Sequence, residues 1–362
     1  MPASVHNHID EKLYHHLRLF LPKELGERAR VVLEQALELF ANDRHFDVLA
    51  CIDGLLKECA ETPAPLLPLL QAAVEPANSV DPDAAASTTV VALPSALSIE
   101  LFMGFIRQSV MYRVASEKVR RCRSLLDDIC NRESWQPVST IDATGSGTFY
   151  RFDETTHTHL FKVIGDVPSS VMRVMGVLME LDLYSEWFPF CFHATLQGEV
   201  TRFHKASHLA IRLPWPFANR DMFLEGYGVD DLTENRRVVV VSHSLCEDGP
   251  MPPEVRPPEP SACVRLEMQC GGFLVEAVSP VKCRVSFIVN VDPKLPHAPM
   301  WAVNWASGKL VWAILHEISK TAKQSDNDKS KYAERRRQRP DVYEYLQERY
   351  HQICGLHFPD WE

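Results

Sequence analysis

Histidines stand in close pairs at positions 6 and 8, 157 and 159, and 204 and 208, and His316 is followed at once by Glu317. Residues of these types hold zinc, or activate a zinc-bound water, when a third ligand stands at matching spacing. None does here, and His316-Glu317 runs on into Ile-Ser-Lys, so the helical motif His-Glu-x-x-His is missing. Ten cysteines are scattered between Cys51 and Cys354 with no Cys-x-x-Cys pair, a pattern that suits small core thiols in a reducing compartment. Gly145-Ser146-Gly147 lacks the flanks of a nucleophile elbow or a phosphate loop and suits a hairpin turn. The expectation is therefore no metal, no cofactor and no catalytic residue. Glu225 and His243 are polar side chains within predicted strands, and a surface or satisfied core role is open for both.

The elements that would position such a site follow from composition and periodicity. The chain has 362 residues, 46% hydrophobic and 24% charged, with a formal net charge of -10. That is enough apolar material for a buried core, and the length suits two units of unequal size. The acidic balance repels phosphate backbones, so nucleic acid is not an expected partner. No apolar run approaches the roughly 20 residues that a spanning helix needs, and the start MPASVHNHIDEK lacks the pattern of a signal peptide. A cytoplasmic protein, peripheral at membranes if it meets them, is expected.

Residues 1–60 contain two stretches of helical spacing, Val31 to Phe40 and Val48 to Leu56, broken at Asn42-Asp43, which predicts a helical hairpin. Proline, alanine and serine crowd 61–95 and suggest a linker. A long helix capped by Ser98 and reaching about Ile129 leads into the main domain, 96–325. After Trp135 the period changes to two. Strands are predicted near 149–152, 159–165, 200–205, 208–213, 222–229, 236–245, 261–270 and 281–290, in an antiparallel sheet of about eight or nine. Two helices break or close this run, one after Pro168 with Ser169 or Ser170 as its cap, the other from about Pro299 to Lys323. On a helical wheel Trp301, Val303, Trp305, Leu310, Val311, Trp312, Ile314, Leu315 and Ile318 cover more than half the circumference. A helix resting on one sheet needs an apolar face of only about 100°, so this one suits being gripped on several sides; burial in a solid core is compatible with the same wheel. Residues 247–260 hold six prolines and suit a mobile insertion, while 326–362 form a basic, then helical, extension. Its cluster at 329–339 suits a solvated helix end or a contact with anionic headgroups.

Three stretches carry a likeness to a known family: LDLYSEWFPF (181–190), IRLPWPFANRDMF (211–223) and DPKLPHAPMWAVNWASGKL (292–310). Their order and spacing resemble the START (StAR-related lipid transfer) domain, of the helix-grip, Bet v 1-like superfamily, over about 115–325. The resemblance implies an α+β fold: a curved antiparallel sheet wrapped around a long C-terminal helix, preceded here by an N-terminal helical region. It also implies a non-catalytic role, binding and transferring a lipid or sterol in an enclosed hydrophobic tunnel, where burial of about 25 cal/mol per Å² supplies affinity. Implied tunnel residues are Trp187, Leu209, Ile211, Leu213, Val264, Leu266, Met268, Val285 and Phe287, with Val303, Leu310 and Ile314 from the helix and Glu225 and His243 as polar groups. Arg220 and Asp221 suit a structural pair that ties the strand turn to its neighbour by a charge-assisted bond, and Asn304 and Trp305 belong to the same family pattern. Trp215 and Phe217, on a loop between strands, suit a membrane-touching gate. Ser185 and Phe188 stand where choline-lipid binders of the family carry arginine and aspartate, which argues against choline selectivity. Partners are thus a lipid or sterol, a membrane surface touched transiently and a protein for the N-terminal helices. A hydrophobic-ligand sensor or scaffold, or an enzyme on the same fold, stays open as the alternative.

Overall fold

A computed structural model describes residues 21, 23–62, 95–131, 133–138, 145–249, 251–259, 261–292, 294, 311–325 and 327–354. The chain divides into two compact units, residues 1–119 and 120–362.

In the first unit α1 (Lys23–Ala41) and α2 (His45–Glu61) are separated by three residues, with Asp43 in the left-handed conformation. Leu25, Leu33, Ile52 and Leu55 of this pair share one apolar core with Phe102 and Ile106 of α3 (Ser95–Gln108). The single long helix expected here is two. Ser109 turns its hydroxyl back on the Ile106 carbonyl at 2.7 Å, and α4 (Val110–Cys130) starts afresh after it.

The second unit is built on a sheet of ten strands, antiparallel except for one two-residue pairing. In chain order they are β1 (Gln136–Pro137), β2 (Gly147–Asp153), β3 (Thr158–Val167), β4 (Cys191–Thr201), β5 (His204–Ile211), β6 (Arg220–Asp231), β7 (Arg237–Ser244), β8 (Val264–Arg265), β9 (Glu267–Ser279) and β10 (Lys282–Asp292). In space they run β1-β2-β3-β10-β9-β7-β6-β5-β4, with β8 beside the start of β6. Between β3 and β4 lie α5 (Val171–Met179), whose Ser170 cap accepts the Arg173 N–H, and the short α6 (Tyr184–Trp187). The four-residue α7 (Leu232–Asn235) joins β6 to β7. Three helices follow the sheet: α8 (Val311–Gln324), α9 (Lys331–Gln338) and α10 (Pro340–Cys354).

The strands differ from expectation in three places. Residues 200–205 straddle the β4–β5 turn, and β4 and the later half of β9 were not anticipated. The proline-rich segment is packed down: Val255 is buried against Ala206 and Phe223, and the Arg256 N–H donates to the Gln197 carbonyl at 2.9 Å.

Buried Lys162 on β3 ties the end of α4 to the sheet. Its ammonium donates to the carbonyls of Asp128, Ile129 and Asn131 at 3.0–3.3 Å, where a helix leaves carbonyls unpaired and its dipole favours a cation. On the other face α8 presses Leu315 onto Gly165, where any side chain would collide with it. Ile314, Leu315, Ile318 and Ala322 are buried. Trp312, by contrast, is 48% exposed, so this part of the helix has a wider wet face than the wheel predicted. Trp301, Val303, Asn304, Trp305 and Leu310 lie outside the described residues.

Candidate functional site

Alternation along each strand sends one set of side chains toward α8. Leu209 from β5, Met222 and Leu224 from β6, Val275 from β9 and Val285 and Phe287 from β10 join Ile314 and Ile318 in one continuous apolar cluster. Cross-strand register stacks these residues in rows. Val285 lies opposite Gly165 and Val275, and Phe287 opposite Val163 and Phe273, the two phenyl rings 4.6 Å apart. Of the residues expected to line a tunnel, Trp187, Leu209, Leu266, Met268, Val285, Phe287 and Ile314 are members of this cluster, and Ile211 packs against it. Leu213 falls beyond the end of β5 and is half-buried. Val264 is 37% exposed, because β8 pairs only with the start of β6 and lies off the floor of the sheet.

The polar networks gather on the opposite face. Glu225 and Phe223 alternate with Leu224, and Phe223 is covered by Val255 rather than by the α8 cluster, so Glu225 points away from the concave interior. This corrects the expectation for Glu225 and for His243, its cross-strand neighbour. Glu225 accepts from His204 Nε2 at 2.5 Å and from His243 Nε2 at 3.1 Å. Burial alone would raise its pKa; the bonds from His204 and His243 reverse this and hold it well below the usual carboxylate range.

Asp221 is fully buried and sits four residues before Glu225 on the same face. It and Arg220 were expected to tie the strand turn to its neighbour; Arg220 donates from its guanidinium to the Ala218 carbonyl at 2.6 Å, and the cation that Asp221 meets comes from another strand. Arg265 takes that role, donating Nε to Asp221 at 2.9 Å and Nη2 at 3.1 Å, while His208 Nε2 lies at 2.8 Å and the Ser261 hydroxyl donates at 2.7 Å. Burial pushes this carboxylate upward, but the bonds from Arg265, His208 and Ser261 outweigh it and bring its pKa down to about 2. Beside this network, where the β7–β9 ladder stops at Ser242 and Gly271, a cleft of about 970 Å³ opens, lined among others by His243, Arg265 and Met268. Among the described residues no group of His, Cys, Asp and Glu is arranged to hold a metal ion.

A family model described as START domain matches residues 123–326, more than half of the chain. The chain belongs to the START-domain family. Among solved structures, human STARD10 is similar at 19% identity over 64% of this chain and 87% of that one, with a TM-score of 0.48. Human StAR-related lipid transfer protein 5 is similar at 15% identity over 59% of this chain and 97% of that one, with a TM-score of 0.49. Zhui aromatase/cyclase from Streptomyces sp. R1128 aligns at 10% identity over 46% of this chain and 95% of that one, with a TM-score of 0.33. No curated protein matches the chain.

Past the START match, α9 and α10 fold back as a strap. Three of the basic residues expected at a solvated helix end or a lipid contact form ion pairs: Lys331, still exposed, with Glu186, Arg335 with Asp182, and Arg339 with Glu199 at 2.6 Å. Arg349 reaches Asp230 at 2.6 Å, and Val342 and Leu346 enter the apolar cluster.

At the other end of the START domain, the β5–β6 loop raises Trp215, which is 91% exposed, while Phe217 is half-buried. Exposed Phe190 and Phe192 belong to the adjoining start of β4: the Arg212 N–H donates to the Phe190 carbonyl at 2.9 Å, and the Arg212 guanidinium is 5.3 Å from the Phe192 ring. No helix among the described residues is long and apolar enough to cross a membrane.

Proposed function

We propose that this START domain binds one lipid or sterol in its concave interior and carries it between membranes without chemically changing it. The supporting observation is the division between the two faces of the sheet. The described residues facing α8 form an apolar cluster, whereas the carboxylate–histidine groups that acid–base chemistry requires, Asp221–His208 and Glu225 with its two histidines, face the other way. A greasy guest gains affinity from burial alone in such surroundings. Native mass spectrometry of the purified full chain tests this: one co-purifying lipid or sterol per chain is expected, and an empty chain that stays empty after incubation with vesicles overturns it.

The exposed Trp215, Phe190 and Phe192, with Arg212 among them, form the surface by which the domain meets the bilayer, the aromatic rings at headgroup level. Each aromatic group transferred from water contributes about 1.5–3 kcal/mol. Trp215→Ser combined with Phe192→Ser is therefore expected to slow transfer between liposomes roughly tenfold or more with an unchanged melting temperature. Transfer at the wild-type rate removes this surface from the mechanism.

A further inference from the structure

Among the described residues, the concave cluster contains two hydrogen-bond donors that meet no acceptor. Trp187, at the end of α6, is buried edge-on to Tyr184 and Phe188, with ring centroids 4.7 and 5.6 Å away, and its indole N–H meets no acceptor. Tyr332, on α9, is buried in the same cluster, and its hydroxyl also has no partner. Nearby tyrosines behave differently. The Tyr184 hydroxyl donates to the Leu178 carbonyl at 2.8 Å, Tyr343 to Glu180 at 2.7 Å and Tyr350 to the Pro280 carbonyl at 2.5 Å. A buried donor that has given up water without finding an acceptor is costly, and buried Trp and Tyr tips ordinarily find one. Two exceptions in one apolar cluster mark a place where the acceptor arrives with a guest.

Local charge narrows the acceptor. Burial first, then the carboxylates of Glu186, Glu180 and Asp182, push the Tyr332 phenol up, so it stays a neutral donor in a negative field. The cations of the same helix, Lys331 and Arg335, are already bonded to Glu186 and Asp182. Such surroundings repel an incoming phosphate or carboxylate and accept an uncharged oxygen. We infer that Trp187 and Tyr332 form a donor pair that holds an uncharged oxygen acceptor, an ester carbonyl or a hydroxyl, of the lipid lodged in the concave interior. The inference rests on the carrier function proposed above. It joins a residue inside the START match to one from the strap beyond residue 326.

The test titrates the full wild-type chain, Trp187→Phe and Tyr332→Phe with diolein, cholesterol or oleate, each delivered from cyclodextrin, with bound lipid counted by native mass spectrometry. Diolein or cholesterol is expected to bind wild type at least tenfold more tightly than oleate, and the favoured one tells whether a carbonyl or a hydroxyl is held. Each Phe variant should bind that lipid roughly fivefold or more weakly. The melting temperature of unliganded Tyr332→Phe should be equal or higher, because a buried donor without a partner has been removed; Trp187→Phe also loses buried ring volume, so for it the binding alone is read. Donors needed only by the fold give the reverse, a lower melting temperature and unchanged binding, and that result overturns the pair. Preference for oleate overturns it too. A wild type that takes up none of the three lipids overturns the carrier function and the pair together, whereas equal loading of wild type and variants overturns the pair alone.

Discussion

Gly272→Ala is expected to abolish cooperative folding of the START domain. Gly272 lies in β9, in the middle of the sheet, opposite Val241 of β7 and Ile288 of β10. Its φ is +147°, a conformation that residues with a side chain rarely adopt. An added Cβ would overlap the Val240 carbonyl oxygen and stand 2.9 Å from its carbon and 3.2 Å from the Val241 Cα. These are backbone atoms, which cannot step aside as a side-chain tip can. Strain of about 1–3 kcal/mol from the dihedral adds to the loss of ladder bonds on the β7 side, so a total above about 4 kcal/mol is expected. Gly228→Ala in β6 is the control, since its nearest neighbour would be the Phe203 Cβ at 4.0 Å. Circular dichroism during thermal melting should show a wild-type-like transition for Gly228→Ala and none for Gly272→Ala; a normal melt for the latter removes the steric argument.

Asp221→Ala is expected to cost about 3–5 kcal/mol, because it leaves the Arg265 guanidinium, the His208 ring and the Ser261 hydroxyl without their shared acceptor. At about 2–4 °C per kcal/mol for a unit of this size, the melting temperature falls by roughly 10 °C. The same carboxylate gives the acid response a sign. Its pKa is about 2 in the fold against 3.8 without the fold, so it stabilises the folded state above the higher value and loses that contribution as pH falls toward the lower. The contribution is about 2 kcal/mol at neutral pH, draining away between roughly pH 5 and pH 2. Asp221→Asn should show a shallower loss of stability across that interval than wild type, and parallel curves would show that the carboxylate does not carry it.

Strong periodicity made the outline of this fold legible. The alternation at Val281, Cys283, Val285 and Phe287 marked a strand wet on one side, and the stretch ending in Asn219-Arg220-Asp221 marked the family. What failed did so for local reasons. In β6 both faces are buried, Leu224 under α8 and Phe223 under Val255, so alternation separates two sets of residues without telling which set faces inward. Glu225 and His243 were assigned to the wrong side for that reason. β4 breaks register three times against β5, which erases the period-two signal, and the turn at Arg202-Phe203 was hidden by flanking strand formers. The partner of Asp221, Arg265, was not named in advance because the parallel pairing of β8 with β6 brings it there, a contact across 44 positions that no spacing rule reveals. Trp187 was picked out by its family motif, Tyr332 by nothing in its own neighbourhood.

The strap of α9 and α10 separates two boundaries that usually coincide. Recognisable kinship stops at residue 326, yet Tyr332, Val342 and Leu346 fill the same oily interior as residues more than a hundred positions earlier. Trimming the polypeptide at the border of homology would take away a wall of the building, leaving Glu180 and Asp182 without Arg335 and Glu199 without Arg339. The piece that evolution labels is here shorter than the piece that physics folds.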